Sequence, residues 1–351
     1  MTGRTGRSPR IRDIARVVGV SPSTVSVVLN ERDTVVRVSA ETRRRVLATA
    51  SDLGYVPNIA ARRLAQAAPD MLTLAILTPL DARLPLIGRV IRGVHAGLGP
   101  SVGNVELLVE VYRGGRLSES PFLQSRNRAN GVVVTNSLPE DDEYLEGIPR
   151  AAVPFVVLQR LSRHSHVNLD NKRTGREVIA YLHGLGHRHI GAIVPDVPSI
   201  ALADRLAGYL EGLDSCGLQG SREWIARAEF SNAGGYQAAR QILAGQRRPT
   251  AVFVLTDAMA VGAIRAIRES GLRVPDDVAV VGHDDLEFAA YVDPPLTTVR
   301  VPIEEMAARA VQMLTDLVLH RARGPLQESF EGHLVVRRSS GGPRPALQPA
   351  P

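Results

Sequence analysis

Residues 72–338 alternate between short apolar segments and longer segments in which apolar residues recur at helical spacing. Seven of the apolar segments have the length and the Val and Ile content of buried strands: LTLAIL, VELLVEV, GVVV, FVVL, HIGAIV, AVFVL and VAVVG. Strands that alternate with helices form parallel sheets with helices on their faces. Two successive sets of such strands predict two doubly wound α/β subdomains, with ligand binding in a cleft beyond the carboxyl ends of the strands.

The first 66 residues carry most of the net positive charge of the protein. They contain twelve arginines against five acidic residues, a net charge of +7, whereas the whole chain of 351 residues has a net charge of +6. A basic segment on a nearly neutral body is typical of a nucleic-acid-binding arm, because neutralisation of phosphates supplies most non-specific affinity. Charge alone leaves open a solvated basic tail, and residues 1–9 are expected to form a disordered basic arm.

A small all-α helix-turn-helix domain is predicted at residues 10–57. Apolar residues recur at helical spacing from Ile14 until Gly19, which ends the first helix. Ser21 followed by Pro22 provides an N-cap hydroxyl and a first-turn proline for a second helix. The N-terminal part of this second helix would enter the major groove of DNA.

A third helix is expected to begin after Ser39, its N-cap, with Val46, Leu47 and Leu53 on its inner face. Residues 58–68 have helical character but are too few to hold a helix in water without packing partners. This segment is therefore predicted to be a hinge that becomes ordered only against its symmetry mate and DNA.

Residues 10–66 resemble the DNA-binding headpiece of the lactose repressor/galactose repressor (LacI) family. The matching segments are IRDIARVVGVSPSTVSVVLN, VSAETRRRVLATASDLGYVPN and IAARRLA. The resemblance implies contacts to phosphates, or a role in positioning the helix, for Ser21, Thr24, Ser26 and Asn30. It implies that Pro22, Ser23 and Val27 face base edges. The predicted DNA-binding set is completed by Arg10, Asn58, Ala61 and Leu64.

Two of these positions carry specific expectations. Leu64 matches the hinge leucine that the family inserts into the minor groove at the centre of the operator, where it kinks the duplex. Val27 stands where family members often have an arginine that can bind guanine. Base recognition by Val27 must instead be apolar, for example toward a thymine methyl group.

The rest of the chain resembles the LacI-type effector domain, which shares the fold of periplasmic sugar-binding proteins. The matching segments are LHGLGHRHIGAI, DRLAGYLEGL, TAVFVLTDAMAVGAIRAIRESGLRVPDDVAVVGHDD and PPLTTVRVPIEEMAARAVQML. The resemblance implies an effector-binding and dimerisation domain at residues 69–338. It divides this domain into a first subdomain, residues 72–166 plus about 296–324, and a second, residues 167–293 plus the strand FEGHLVVR. Residues 339–351 are Gly/Pro-rich and are expected to form a disordered tail.

Four effector-binding residues follow from this resemblance: Arg205, Phe230, Thr256 and Asp284. Arg205 matches an arginine that holds a ligand hydroxyl or carboxylate, with a surface ion pair as the alternative. Asp284 can accept hydrogen bonds from two sugar hydroxyls, or else cap the helix that follows it. Phe230 matches an aromatic residue that stacks on the ligand, with a core position as the alternative.

Thr256 stands where sugar-binding members often have asparagine. Asp257 beside it is predicted to cap a helix that starts at Ala258.

Several other classes of function find little support. Cys216 is the single cysteine, which excludes a disulfide framework and agrees with a reducing compartment. The chain has no apolar run of the roughly 20 residues that span a bilayer, and no signal-like N-terminus, which predicts a cytoplasmic location. Two groups of histidines are expected to have a structural role rather than to bind a metal: His164 with His166, and His183 with His187 and His189. No phosphate loop, nucleophile elbow or carboxylate pair appears, so no enzyme, cofactor or metal is expected.

The combined interpretation is a sequence-specific DNA-binding transcriptional regulator, and within that class a repressor. It is expected to be a homodimer that binds a palindromic operator, with its affinity controlled by a small-molecule effector, a sugar or a sugar derivative, between two subdomains. The alternative is a periplasmic-type solute-binding protein, which would need a secretion signal in place of the basic N-terminal module.

Overall fold

Three helices form the described part of an N-terminal unit in this computed structural model. The structure describes residues 11–29, 38–53, 71–80, 84–99, 102–124, 128–149, 153–220 and 222–341. The chain divides into two compact units, Met1–Met71 and Leu72–Pro351. The helices of the first unit are α1 (Ile11–Val18), α2 (Pro22–Leu29) and α3 (Ala40–Asp52).

The local signals in the sequence place these helices correctly. Gly19 has φ of 74° at the end of α1, in the left-handed region that glycine adopts at little cost. The hydroxyl of Ser21 accepts a hydrogen bond from the backbone N–H of Thr24, and that of Ser39 accepts one from Thr42. The two predicted N-caps are confirmed.

The core of the N-terminal unit joins all three helices, and its buried members are Ile14, Ala15, Val18, Val25, Val28, Val46 and Ala50. The prediction for the inner face of α3 was wrong in two places, because Leu47 is 48% exposed and Leu53 is 39% exposed. Val46 and Ala50 lie one helical turn apart and form that face, which leaves Leu47 pointing away from the core.

Two six-stranded sheets make up the second unit. The first has the order β11-β5-β4-β3-β1-β2 and the second the order β12-β10-β9-β8-β6-β7. Apart from the antiparallel pair of β10 with β12, the described pairings are parallel. The strands are β1 (Met71–Pro79), β2 (Asn104–Tyr112), β3 (Gly131–Thr135), β4 (Phe155–Leu158), β5 (His166–Leu169), β6 (Ile190–Pro195), β7 (Ile225–Ala228), β8 (Ala251–Val254), β9 (Ala279–Asp284), β10 (Thr297–Arg300), β11 (Gln327–Phe330) and β12 (His333–Val335).

Helices cover both faces of each sheet, which confirms the predicted pair of doubly wound α/β subdomains. They are α4 (Leu84–Gly97), α5 (Pro121–Gln124), α6 (Asp142–Gly147), α7 (Asn171–Gly184), α8 (Ile200–Ser215), α9 (Asn232–Leu243), α10 (Asp257–Glu269) and α11 (Ile303–Val318). In the first subdomain, α4 and α11 bury one face of the sheet and α5 and α6 the other. In the second, α7 and α8 bury one face and α9 and α10 the other.

The chain crosses between the sheets three times, always within two residues of the carboxyl end of a strand. The crossings follow β5, β10 and β11, and they occupy Asp170, residues 301–302 and residues 331–332. The expected boundaries are corrected accordingly: β5 belongs to the first sheet and β10 to the second. Connections this short require the carboxyl edges of the two sheets to lie side by side.

The structure describes the chain up to residue 341, beyond residue 338, the predicted end of the effector domain. Ser339 and Ser340 are buried, and the Ser339 hydroxyl donates a 2.6 Å hydrogen bond to the carbonyl of Val280 in β9. The predicted start of the tail was therefore too early by at least these residues. No helix in the described part of the chain combines the length and apolar character that a bilayer span requires.

Candidate functional site

The N-terminal end of α2 presents a small group of hydroxyls to solvent. Ser21, Pro22 and Ser23 are exposed. The Ser21 hydroxyl oxygen lies 2.8 Å from that of Ser23 and 2.8 Å from that of Thr24. Ser21 therefore both begins the helix and arranges neighbouring hydroxyls, which can donate to phosphates or to base edges.

The next turn of α2 is partly covered. Thr24, Ser26 and Val27 are half-buried, while Val25 and Val28 lie in the core. This alternation leaves Val27 partly accessible on the same helix that carries the hydroxyls. Five members of the predicted DNA-binding set, Arg10, Asn30, Asn58, Ala61 and Leu64, lie outside the described residues.

Arg45 in α3 has a contact that the sequence pattern did not suggest. Its Nη2 donates a 2.9 Å hydrogen bond to the carbonyl of Val18, the last residue of α1. A cation at the C-terminus of a helix offsets the negative end of its dipole. One of the arginines counted toward DNA binding therefore also joins α3 to α1.

Arg205 lies at the carboxyl edge of the second sheet. It occupies the second turn of α8 and is buried, and its Nη1 donates a 2.7 Å hydrogen bond to the carbonyl of Leu255, the residue after β8. Its Nε donates to Oδ1 of Asn171 at 2.9 Å. Arg205 is therefore buried and does not lie on the surface.

Asp284 is the last residue of β9, at the same edge, and it is buried. Its Oδ1 lies 3.1 Å from Nδ1 of His283. Burial, together with the charge of Arg205, lowers the pKa of His283 to about 4, so the imidazole is neutral at pH 7. With Nδ1–H donating to Asp284, the other nitrogen, Nε2, is an unprotonated acceptor.

The alternative of an N-cap role for Asp284 is not observed. The next helical element, Glu287–Ala290, has Leu286 at its N-cap position and no side-chain cap. The Asp284 carboxylate instead contacts His283.

Thr256, and not Asp257 as the sequence predicted, caps the helix that follows. Thr256 is the N-cap of α10, since its hydroxyl accepts a hydrogen bond from the N–H of Met259. Asp257, the predicted cap, is fully buried and accepts hydrogen bonds from Thr298 Oγ1 at 2.6 Å and from the N–H of Leu286 at 2.8 Å. Burial and the neighbouring Asp284 raise the pKa of Asp257 well above its usual range.

Phe230 follows β7 and immediately precedes the N-cap of α9, Ser231. It is half-buried and packs against the core between the second sheet and α9–α10. Phe230 therefore has a core contact, and its ring stays partly exposed.

The carboxyl edge of the first sheet contributes residues that the sequence reasoning missed. Arg160, two residues after β4, is buried and donates from Nη1 to Ser137 Oγ and to Asp142. Among the described residues, Thr135 Oγ1, Gln159 Oε1 and Arg160 Nε are buried without a hydrogen-bond partner. Their position directly after apolar strands was the available signal, since ligands bind beyond the carboxyl ends of such strands.

Strained backbone is concentrated at these same two edges. Of the described non-glycine residues, five have positive φ, and four of them follow or end the strands in question: Asn136, Gln159, Asp284 and Asp285. Such conformations cost about 1–3 kcal/mol each and occur mainly at functional sites. A cavity of about 250 Å³ is lined by Pro139, by the end of β6 and by the start of α8. The two edges therefore meet at this cavity.

His187, one of the histidines considered as metal ligands, contacts a neighbouring side chain. His187 Nδ1 lies 3.0 Å from Thr250 Oγ1, and burial lowers the pKa of its imidazole. Within the described ranges, no group of three or more His, Cys, Asp or Glu side chains is placed to hold a metal ion.

Two family models match the chain. Residues 10–58 match the model of bacterial regulatory proteins of the lacI family, and residues 179–340 match a periplasmic binding protein-like domain. The first covers the helix-turn-helix, and the second covers most of the second sheet with its helices.

Relatives and solved structures match over nearly the whole chain. The transcriptional regulator CelR of Thermobifida fusca is 33% identical over 343 residues, which cover 95% of this chain and 98% of the relative. A CelR–cellobiose complex has a TM-score of 0.68 and 29% identity, covering 94% of this chain and 99% of that one. A lac repressor dimer bound to operator and an anti-inducer has a TM-score of 0.70 and 27% identity, covering 95% and 99%. These relatives are regulators and not enzymes, and nothing in the comparisons favours the solute-binding alternative. The chain is a DNA-binding transcriptional regulator and belongs to the LacI family.

Proposed function

We propose that this regulator is a homodimeric repressor that binds a palindromic operator and whose affinity for it is set by a carbohydrate bound between the two subdomains. The observation that carries the effector part is the concentration of buried polar atoms and strained residues at the two adjoining carboxyl edges. A buried polar atom without a partner costs about 1–3 kcal/mol, a cost that a ligand rich in hydroxyls would remove.

The chemistry of the site favours a carbohydrate. Arg205 supplies donors, the Asp284 carboxylate and His283 Nε2 supply acceptors, and Gln159 adds an amide from the first subdomain. Sugar hydroxyls donate and accept at once and so suit such a mixed set. The half-exposed ring of Phe230 can pack against the C–H face of a sugar. The cellobiose complex of the relative CelR supports the same ligand class.

In the DNA-binding unit, the proposed contacts are the exposed hydroxyls at the start of α2 with Val27 beside them, and the hinge residue Leu64. The lac repressor bound to its operator as a dimer supports a two-fold arrangement, in which two headpieces bind two half-sites. A cytoplasmic location is part of this proposal, since that is where a regulator of this kind would bind DNA.

The proposed switch uses the three short crossings. A ligand that contacts both carboxyl edges favours a closed arrangement of the subdomains, and the first subdomain is the one that follows the DNA-binding unit in the chain. A coupling free energy of about 1–3 kcal/mol between the two sites changes DNA affinity roughly 5- to 150-fold.

A DNA-selection experiment tests the DNA part. The full chain is incubated with a pool of random duplexes, and the enriched sequence is expected to be a palindrome whose affinity falls in Leu64→Ala. Enrichment without two-fold symmetry, or an unchanged affinity in Leu64→Ala, would contradict this part of the proposal.

A titration of the selected duplex, with cellobiose and a panel of mono- and disaccharides, tests the effector part. At least one sugar should change the DNA affinity five-fold or more. Arg205→Ala and Asp284→Ala should remove this response, whereas Arg222→Ala, at an exposed arginine of the same subdomain, should retain it. A sugar response that survives in both site variants would contradict the assigned site.

A further inference from the structure

The guanidinium of Arg89 connects three separate segments of the second unit. Arg89 lies in α4 of the first subdomain, and its side chain is only 15% exposed. It forms a bidentate ion pair with Glu304 in the first turn of α11, with Nη2 2.7 Å from Oε2 and Nε 2.9 Å from Oε1. Nη2 also donates to the carbonyl of Val301, in the crossing after β10, at 3.0 Å.

The third guanidinium nitrogen of Arg89 contacts the second subdomain. Nη1 donates a 3.0 Å hydrogen bond to the backbone carbonyl of Asp284, at the end of β9. Asp284 has φ of 118°, a conformation that persists only when surrounding contacts hold it. The same residue presents its carboxylate to His283 at the proposed effector site. One side chain of the first subdomain thus holds the backbone of a site residue in the second.

The helix that carries Arg89 is firmly attached to its neighbour. A Cβ atom added at Gly93 would lie 2.3 Å from the carbonyl oxygen of Glu304, and one added at Gly97 would lie 2.4 Å from that of Ala308. Glycines at these positions let α4 and α11 approach closely, so the two helices pack as a pair. Arg89 therefore connects Asp284 to two closely packed helices.

We infer that Arg89 is a positioning residue that couples the carboxyl end of β9 at Asp284 to helix α4, so that a movement of Asp284 on effector binding is transmitted to the first subdomain. This inference deepens the proposed function, on which it rests for the role of Asp284 in effector binding. The physical link itself can be measured in the full chain with no ligand and no DNA.

Neighbouring Arg92 offers a matched control. It lies one turn further along α4 and donates to the same Glu304, with Nη2 3.2 Å from Oε1, but its side chain is 68% exposed. The contacts described for Arg92 do not include Asp284. Arg92→Gln therefore removes one arginine from the same helix and the same carboxylate while leaving the proposed link intact.

The test is a double-mutant cycle in the full chain, in which the rate of hydrogen–deuterium exchange of the α4 amides is measured. Asp284→Ala removes the His283 contact and places alanine at a positive φ, which disturbs the carbonyl that Arg89 binds. In the wild-type and Arg92→Gln backgrounds, this change should accelerate exchange in α4 about ten-fold. In the Arg89→Gln background it should add less than about two-fold, because the link is already broken.

Equal acceleration with and without Arg89, or no acceleration in the wild-type background, would overturn the inference. A purely structural role of Arg89 predicts the first of these results, since each substitution would then act independently. If Asp284→Ala or Arg89→Gln fails to fold, Asp284→Ser and Arg89→Lys complete the same cycle, because serine also removes the carboxylate at a positive φ and lysine lacks the planar fork that reaches several acceptors at once. If no sugar binds but the cycle is non-additive, the proposed effector is refuted. The link from Asp284 to α4 through Arg89 is then still supported.

Discussion

Asn171 holds Arg205 in place: its Oδ1 accepts a 2.9 Å hydrogen bond from the guanidinium Nε, while its Nδ2 donates to the carbonyl of Leu169. Asn171 begins α7, directly after the crossing at Asp170. The side chain that orients the proposed effector arginine is thus attached to a segment that joins the two subdomains.

Replacement of Asn171 by alanine should weaken both the fold and the site. The change removes an acceptor from a buried guanidinium, which costs about 1–3 kcal/mol in the free energy of unfolding. Urea denaturation measures this cost. A sugar identified as the effector should bind more weakly to Asn171→Ala than to the wild type, whereas DNA affinity without the sugar should change little. Unchanged stability and sugar affinity would show that the Asn171 hydrogen bond does not support Arg205.

Variants of the two serine N-caps in the DNA-binding unit distinguish a loss of stability from a loss of DNA binding. Ser21 caps α2 and Ser39 caps α3 with nearly the same geometry, with N–H to Oγ distances of 3.1 Å and 3.2 Å. Ser21→Ala and Ser39→Ala should each cost about 1 kcal/mol of headpiece stability. Only Ser21→Ala should also lower affinity for the selected operator, since Ser21 organises the exposed hydroxyls of α2. Equal losses of operator affinity in the two variants would assign the effect to stability alone.

His283 should make stability depend on pH between 6.5 and 4. Burial lowers the pKa of its imidazole from 6.5 to about 4 in the folded protein, so over this range the unfolded chain binds the proton first. Stability is fully present above pH 6.5, and about 3 kcal/mol of it is lost as the pH falls to 4. The raised pKa of Asp257 works in the opposite direction.

Denaturant unfolding at several pH values, with His283→Gln as the reference, isolates this contribution. The difference in unfolding free energy between wild type and variant should decrease as the pH is lowered, because the contribution of Asp257 is common to both. A difference that stays constant from pH 7 to pH 4 would contradict the assignment to His283.

Gly208 lets helix α8, which carries Arg205, pack closely against helix α7, which carries Asn171. A Cβ atom added at Gly208 in α8 would lie 2.1 Å from the carbonyl oxygen of Lys172 in α7. Gly208→Ala should therefore force the two helices apart and cost about 1–3 kcal/mol. Gly184→Ala is the control, since a Cβ at the end of α7 meets nothing within 4 Å. Thermal unfolding of both variants checks the prediction, and equal melting temperatures would refute it.

The sequence determined the three helices of the DNA-binding unit and most of the strands of the second unit. Caps and turn residues such as Ser21, Gly19 and Ser39 are local signals, because a hydroxyl cap or a positive φ depends on a few neighbouring residues. The seven predicted apolar strands are all present. Six of them are inner strands of the sheets, which are buried on both faces and therefore apolar throughout, whereas β2 is a partly exposed edge strand. Arg205 and Asp284 were found through the resemblance of their surrounding segments.

Only the tertiary structure decided how residues distant in sequence meet. The roles of Thr256 and Asp257 depend on Leu286 and Thr298, which approach Asp257 from another strand and loop. The partners of Arg89, Arg160 and Asn171 likewise come from separate elements. Periodicity and capping report which face of an element is buried, whereas the partner of a buried polar group is fixed by packing of the whole domain. The link from Asp284 to α4 through Arg89 is of this second kind.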